Sequence, residues 1–235
     1  MERALSVAAT PSSLDDPKVK SVIDRLHEAA RGDLFRMLGR APTFIRSVLG
    51  RSLDPAEMSR RFKDVYIPLS RPQGKLLYLV ARSLDAKRIV EFGSSFGIST
   101  LYAAAAARDN GTGRVIGSEL EPGKRAKAVE HLSEAGLGGC AEVKLGNALQ
   151  TLRDVPPPID LVLLDGWKDL YLPMLELLAP KLRSGAVVLA DNVRTFKRAL
   201  APYLDYVQSG RNGFQSVTLP FPSGFEYSVR TGRAE

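Results

Sequence analysis

The period of the apolar residues changes near residue 87. Before it, Val19, Val22, Ile23 and Leu26, then Leu34, Met37 and Leu38, recur every three to four positions, the spacing of one helix face. A second helix is expected through PAEMSRRFKDV, with Asp54 as N-cap and Pro55 in the first turn. A third is expected over residues 71–84, RPQGKLLYLVARSL. Residues 1–70 therefore read as a helical N-terminal region and residues 71–235 as a second unit.

After residue 87, short apolar runs alternate with helical patterns. KRIVEFG, GRVIGSEL, AEVKLG, IDLVLLD and AVVLADN read as strands. GISTLYAAAAARD, PGKRAKAVEHLSEAGL (ended by Gly136), ALQTLRD, KDLYLPMLELLAPKL and TFKRALAPYLDYVQS read as helices. FQSVTLP and FEYSVRT close the chain as two strands joined by FPSG. This alternation predicts an α/β fold, a doubly wound and mostly parallel sheet. The closing hairpin must be antiparallel, because four residues cannot make a parallel crossover.

Ligands of such sheets bind beyond the carboxyl ends of the strands. Here those ends read EFGSSFG, SELE, GNA, LDGWKD and ADN, so polar residues gather at one edge. Gly93 and Gly97 flank the first turn, at a spacing unlike the G-x-G-x-x-G of dinucleotide enzymes. Glu91, two residues before Gly93, suits an amine-bearing ligand better than a pyrophosphate. Glu119 is placed to accept from ribose hydroxyls. A ligand with a ribose and a positive end but no phosphates suggests S-adenosylmethionine; a purely structural turn is the alternative for the glycines.

Asp165 ends the fourth strand, and Asp191 and Asn192 end the fifth. Two carboxylates and an amide make a hard oxygen site suited to Mg²⁺; helix N-capping is the alternative for each. Lys168 lies one turn beyond Asp165. A lysine at a helix start opposes the helix dipole, and one partly desolvated beside a cation is a candidate general base. Trp167, the only tryptophan, can pack on adenine or simply fill the core. His27 and His131 lie on expected helices and read as surface residues, which disfavours zinc.

Composition removes several classes. With 44% hydrophobic and 25% charged residues over 235 positions, the chain reads as an ordinary globular protein. It has no run of membrane-spanning length and no signal-peptide core at its start, so it is expected in the cytoplasm. The single cysteine, Cys140, excludes an internal disulfide and a Cys-rich zinc site and reads as a small half-buried residue. The net charge of +7 keeps an RNA-binding reading open. The basic groups RRFK at 60–63 and GKRAK at 123–127 read first as solvated surface.

The span from about 70 to 232 resembles the cation-dependent class I O-methyltransferases of the catechol and caffeoyl-CoA type. LDGWKDLYLP and VLADNV are similar to the family's metal and base segments, VEFGSSFGIST to its cofactor loop, and SELEP to its ribose-binding strand end. The closing LPFPSGFEYSVR is more like the caffeoyl-CoA and bacterial small-molecule branch. The resemblance implies a seven-stranded sheet with an antiparallel last strand. It implies Mg²⁺ on Asp165, Asp191 and Asn192, and Lys168 as general base. Glu91, Gly93, Ser95, Ser99, Glu119, Leu120, Ala148, Asp165 and Trp167 would surround S-adenosylmethionine. The acceptor would be a small, catechol-like aromatic hydroxyl compound, partly covered by residues 1–70, and the assembly a homodimer.

Two positions depart from the pattern. Gly166 stands where the mammalian catechol enzyme has a histidine, and Val217 where that enzyme has a glutamate orienting the second hydroxyl. Competing readings are an RNA O-methyltransferase on the same fold, a nicotinamide dehydrogenase, and a non-catalytic cofactor-binding protein.

Overall fold

The computed structural model describes residues 12–38 and 69–232, with side chains of 32–38 omitted. The first helix, α1, runs Pro17–Leu38, and α2 runs Arg71–Ser83. Then follow β1 (Arg88–Phe92), α3 (Ile98–Asp109), β2 (Arg114–Glu119), α4 (Pro122–Glu134), β3 (Ala141–Leu145), α5 (Ala148–Thr151), β4 (Ile159–Leu164), α6 (Tyr171–Leu178), β5 (Leu182–Asp191), α7 (Ala201–Gln208), β6 (Phe214–Leu219) and β7 (Phe225–Arg230).

The strands form one sheet in the order β3-β2-β1-β4-β5-β7-β6. β7 pairs antiparallel with both β5 and β6, and the other pairs are parallel. This is the expected seven-stranded doubly wound sheet. The central strands are covered on both faces, so β4 is buried along its whole length, as an all-apolar run requires. One apolar cluster joins α1, α2, α3 and α4 to one face; the other joins α5, α6 and α7 to the opposite face.

α3 is buried along nearly its whole length, from Ile98 through Ala107. Its run of alanines lets α2 and α1 approach closely, and a helix apolar all round belongs in an interior. α1 is thereby an outer layer on this face: Val19, Val22, Ile23 and Leu26 enter the core. Asp109 of α3 ties the turn before α1 to α2, accepting from the Ser13 N–H at 2.9 Å, from the Ser13 hydroxyl, and from Tyr78 at 2.7 Å. Arg25 meets Glu134 of α4 at 2.5 Å, and Arg71 of α2 meets Asp24 of α1 at 2.5 Å.

Three expected elements differ. The helix expected from residue 168 is a 3-10 turn at Lys168–Leu170, then α6, then a 3-10 turn at Ala179–Lys181. Residues 193–200 form successive turns, and α7 begins only at Ala201. Pro173, Pro180 and Pro202 explain these breaks, since a proline lacks the N–H and its ring clashes with the carbonyl four residues back. β5 starts four residues earlier than the apolar run, at Leu182, through a register shift against β4. Asp160, 7% exposed, holds these strand starts: it accepts from the Lys87 and Arg88 N–H groups and from Arg183 Nε.

His27 and His131 correct the surface reading; both are buried, at 7% and 6% exposure. His27 faces α3, with Nε2 3.3 Å from the Tyr102 hydroxyl, and His131 Nδ1 lies 2.9 Å from the Phe96 carbonyl. Amphipathic spacing did not separate these two positions from the solvent face. Cys140 is half-buried as expected. The helix expected after Asp54 and Pro55, and the RRFK group, lie outside the described residues. Among the described residues no helix is long and apolar enough to cross a membrane.

Candidate active site

The turn after β1 is a backbone crossing. Gly93 adopts φ +96°, and a Cβ on it would lie 2.6 Å from the Asp165 carbonyl and 2.7 Å from the Gly166 Cα. The first turn therefore packs directly on the segment that follows β4, with no room for a side chain. Gly166 is equally constrained: a Cβ there would stand 2.4 Å from the Phe92 ring. The departure noted in the sequence has a steric cause in this chain, because Phe92 fills that space.

Glu91 is 1% exposed, at the end of β1. Its Oε2 accepts from the Ser94 hydroxyl at 2.6 Å and the Thr100 hydroxyl at 2.5 Å. Among the described residues its Oε1 is buried with no hydrogen-bond partner. Burial pushes this carboxyl up, while the hydroxyls of Ser94, Ser99 and Thr100 oppose the shift. A buried acceptor without a donor is uncommon, and a cationic ligand would complete it. Glu119, half-buried at the end of β2, accepts from the Ser95 N–H at 2.8 Å and the Glu121 N–H at 2.8 Å. These bonds tie it to the turn after β1. Ser95 itself is held at φ +48°. Ser99 and Ala148 are buried and Leu120 is half-buried, at the start of α3, the start of α5 and just past β2. Trp167 is half-buried against the α5–α6–α7 cluster.

β4 and β5 are neighbours with Leu164 opposite Ala190, so Asp165 and Asp191 follow at the same sheet edge. Neither caps a helix: the 3-10 turn begins at Lys168 without a side-chain cap bond, and α7 starts nine residues after Asn192. Asp191 is 5% exposed. Its Oδ1 accepts from Gln73 at 2.6 Å and Ser223 at 3.0 Å, and its Oδ2 from the Asn192 amide at 2.8 Å. Asn192 takes φ +67°, a conformation asparagine tolerates better than most residues.

Lys168 is 12% exposed, and its Nζ lies 3.7 Å from Asp165. The same nitrogen donates to the Tyr171 hydroxyl at 2.7 Å and sits over the Tyr171 and Phe196 rings at 4.8 and 5.6 Å. Burial pushes the lysine down, opposed by the charges of Asp165 and Asp191. Burial pushes Asp165 up; Lys168 opposes this, and Asp191 and Glu91 add to it. The edge thus brings the acids Glu91, Asp165 and Asp191 near the Lys168 amine.

Residues 90–193 match the model of a methyltransferase domain. The chain is 36% identical to catechol O-methyltransferase of Mycobacterium tuberculosis over 141 residues, 60% of each chain. It is 32% identical to catechol O-methyltransferase of Sus scrofa over 139 residues, 56% of this chain and 73% of that protein.

The chain belongs to the catechol and caffeoyl-CoA type O-methyltransferase family.

Its match spans 60% and 58% of the length of the catechol O-methyltransferases of Mycobacterium tuberculosis and Niastella koreensis. Among solved structures, the O-methyltransferase of tomaymycin synthesis from Streptomyces achromogenes, in complex with S-adenosylmethionine, superposes with a TM-score of 0.66. It is 27% identical, over 81% of this chain and 95% of that one.

The edge unites residues from the ends of β1, β2, β4 and β5. Among the described residues no group of three or more His, Cys, Asp and Glu side chains comes together to hold a metal. The expected set is of another kind, two carboxylates and an amide. Val217 lies on the edge strand β6, 56% exposed and paired with Tyr227, two residues short of the strand's end. Four partners were missed in the sequence: Gln73, Tyr171, Phe196 and Ser223. The capping-box pattern at Ser70–Gln73 marks the helix start and not the contact with Asp191. No local signal marked Ser223, which reaches Asp191 because the β6–β7 turn folds back on residues 193–195, its Ser223 carbonyl accepting from the Arg194 and Thr195 N–H groups.

Proposed function

We propose that this chain transfers a methyl group from S-adenosylmethionine to a hydroxyl of a small aromatic acceptor bearing two vicinal oxygens, with Mg²⁺ bound and Lys168 as general base. The observation that carries this reading is the buried amine of Lys168 at 3.7 Å from Asp165, on the edge that Asp191 shares. The relatives named as catechol O-methyltransferases support the acceptor class.

The residues fit both absent groups. The partnerless Oε1 of Glu91 suits the cationic end of S-adenosylmethionine, and Glu119, already oriented by two N–H donors, suits its ribose. Ser95, Ser99, Leu120, Ala148 and Trp167 complete that surface in this reading. Asp165, Asp191 and Asn192 offer hard oxygens, which suit a cation that keeps water or substrate oxygens in its shell. When bound, Mg²⁺ would supply Lewis acidity and a template for two oxygens.

The chain's own contributions follow from geometry. Lys168 accepts the acceptor's hydroxyl proton on Nζ. Tyr171 and the Phe196 ring keep that nitrogen from swinging into solvent. The oxygen–methyl bond forms as the methyl–sulfur bond breaks, and the edge residues act by positioning and by fixed charge. The Gly93–Gly166 crossing holds the donor and acceptor halves of the site together. The part of residues 1–70 that precedes Ser70 is proposed to help cover the acceptor, since Ser70 caps the helix whose Gln73 touches Asp191.

The test is titration with S-adenosylmethionine, then a methyl-transfer assay on a panel of vicinal diphenols with Mg²⁺. The expected result is binding and turnover. Binding without transfer to any diphenol would overturn the acceptor class, and no binding would overturn the reading as a whole.

A further inference from the structure

We propose that Gln73 is a positioning residue that orients the Asp191 carboxylate for its cation. The inference rests on the reading of Asp191 as a cation ligand. Gln73 is 4% exposed, in the first turn of α2, and reaches Asp191 across 118 positions of sequence.

The two ends of its amide do different chemistry. Oε1 accepts from the Ser70 N–H at 3.0 Å and from the Ser70 hydroxyl at 2.7 Å. An amide oxygen cannot donate, so this arrangement fixes the flip and turns the NH₂ group to Asp191, with Nε2 2.6 Å from Oδ1. That bond is short and made to a carboxylate, the stronger class of hydrogen bond. Ser223 adds a second donor to the same oxygen at 3.0 Å, and Asn192 holds Oδ2 at 2.8 Å. Asp191 is thereby gripped from two distant segments of the chain and by its own neighbour.

Helix capping alone does not account for Gln73. A capping box needs only an acceptor at this position, and glutamate supplies it as well as glutamine. Glutamate here would face Asp191 with a like charge. Only an amide accepts from Ser70 and donates to Asp191 at once, and only one of this length spans the two. Outer partners of a ligand fix its orientation, and their loss typically lowers metal affinity about 10–100-fold.

The experiment titrates Mn²⁺, followed by electron paramagnetic resonance, into the full chain saturated with S-adenosylhomocysteine. Wild type, Gln73→Met and Ser70→Ala are compared, and S-adenosylhomocysteine affinity reports the fold. Gln73→Met is expected to raise the Mn²⁺ Kd about 10–100-fold. Ser70→Ala removes the cap hydroxyl but keeps the Ser70 N–H that also holds the Gln73 amide, and is expected to cause a clearly smaller loss than Gln73→Met. Should Gln73→Met not fold, Gln73→Asn is read in the same titration; it is one methylene too short to bridge, and the same loss is expected. Wild-type Mn²⁺ affinity in the Gln73 variants, or an equal loss in Ser70→Ala, would overturn the inference alone. Failure of the wild type to take up Mn²⁺ would overturn the cation reading of Asp191, and the inference with it.

Discussion

Lys168 and Tyr171 meet at 2.7 Å, amine to hydroxyl, and the Tyr171 hydroxyl donates onward to the Asp191 carbonyl at 3.2 Å. The end of β5 thus fixes the amine that follows β4. Asp165, at 3.7 Å, holds that amine from the other side.

Lys168→Ala is expected to lower kcat about 10²–10⁴-fold, the range general-base groups contribute. Affinity for S-adenosylmethionine is expected to change little, because Glu91 and Glu119 are held by bonds that do not involve the amine. Steady-state kinetics and calorimetry on the same preparation check this. Lost cofactor binding with turnover intact would remove Lys168 from the role.

Gly166→Ala is expected to destabilise the fold by about 1–3 kcal/mol, the usual cost of overpacking. The added methyl would overlap the Phe92 ring. Phe92→Leu in the same chain should recover part of the loss, so a double-mutant cycle by urea denaturation should show a favourable coupling. Independent effects would mean that the backbone, not the ring, constrains Gly166.

EDTA is expected to abolish methyl transfer and added Mg²⁺ to restore it, while S-adenosylmethionine still binds. Asp165 and Asp191 compose the cation site in this reading, whereas Glu91 and Glu119 face the cofactor. Turnover persisting in EDTA would remove the cation from the mechanism.

Acid is expected to loosen α1 before the sheet. Burial lowers the His27 imidazole to about 4 from the ordinary 6.5; Arg71 and Arg31 add to the shift and Asp24 opposes it. The Tyr102 hydroxyl is the polar group it meets on α3. A depressed folded value means that protonation favours the unfolded state. The stability is therefore complete above pH 6.5 and is lost as pH falls from there towards 4, by at most about 3 kcal/mol. Thermal melts from pH 7.5 to 4.5 should show this slope, and His27→Phe should flatten it. An unchanged slope in that variant would assign the effect to other groups.

Much of the candidate site was legible because a doubly wound sheet sends all its parallel strand ends to one edge. Glu91, Glu119, Asp165 and Asp191 could be brought together from strand-end position alone. Gln73 and Ser223 were not legible in that way. They reach Asp191 from a helix start and from a hairpin turn, and nothing in local spacing encodes a contact over 118 or 32 positions. His27 and His131 were misplaced for a related reason: helical periodicity identifies an apolar face, but a second layer of helices can bury the polar one.

The chain's own order of apolar and polar residues determined the alternation of strands and helices, the antiparallel close and the edge where chemistry gathers. These follow from backbone periodicity and chain connectivity, which are local or nearly so. Tertiary structure alone decided which carboxylate is gripped and which is paired. It left an oxygen of Glu91 without a donor, and it required a glycine at 166. Those outcomes depend on distances of a few ångströms between segments far apart in sequence, and packing sets such distances only once the whole sheet has formed.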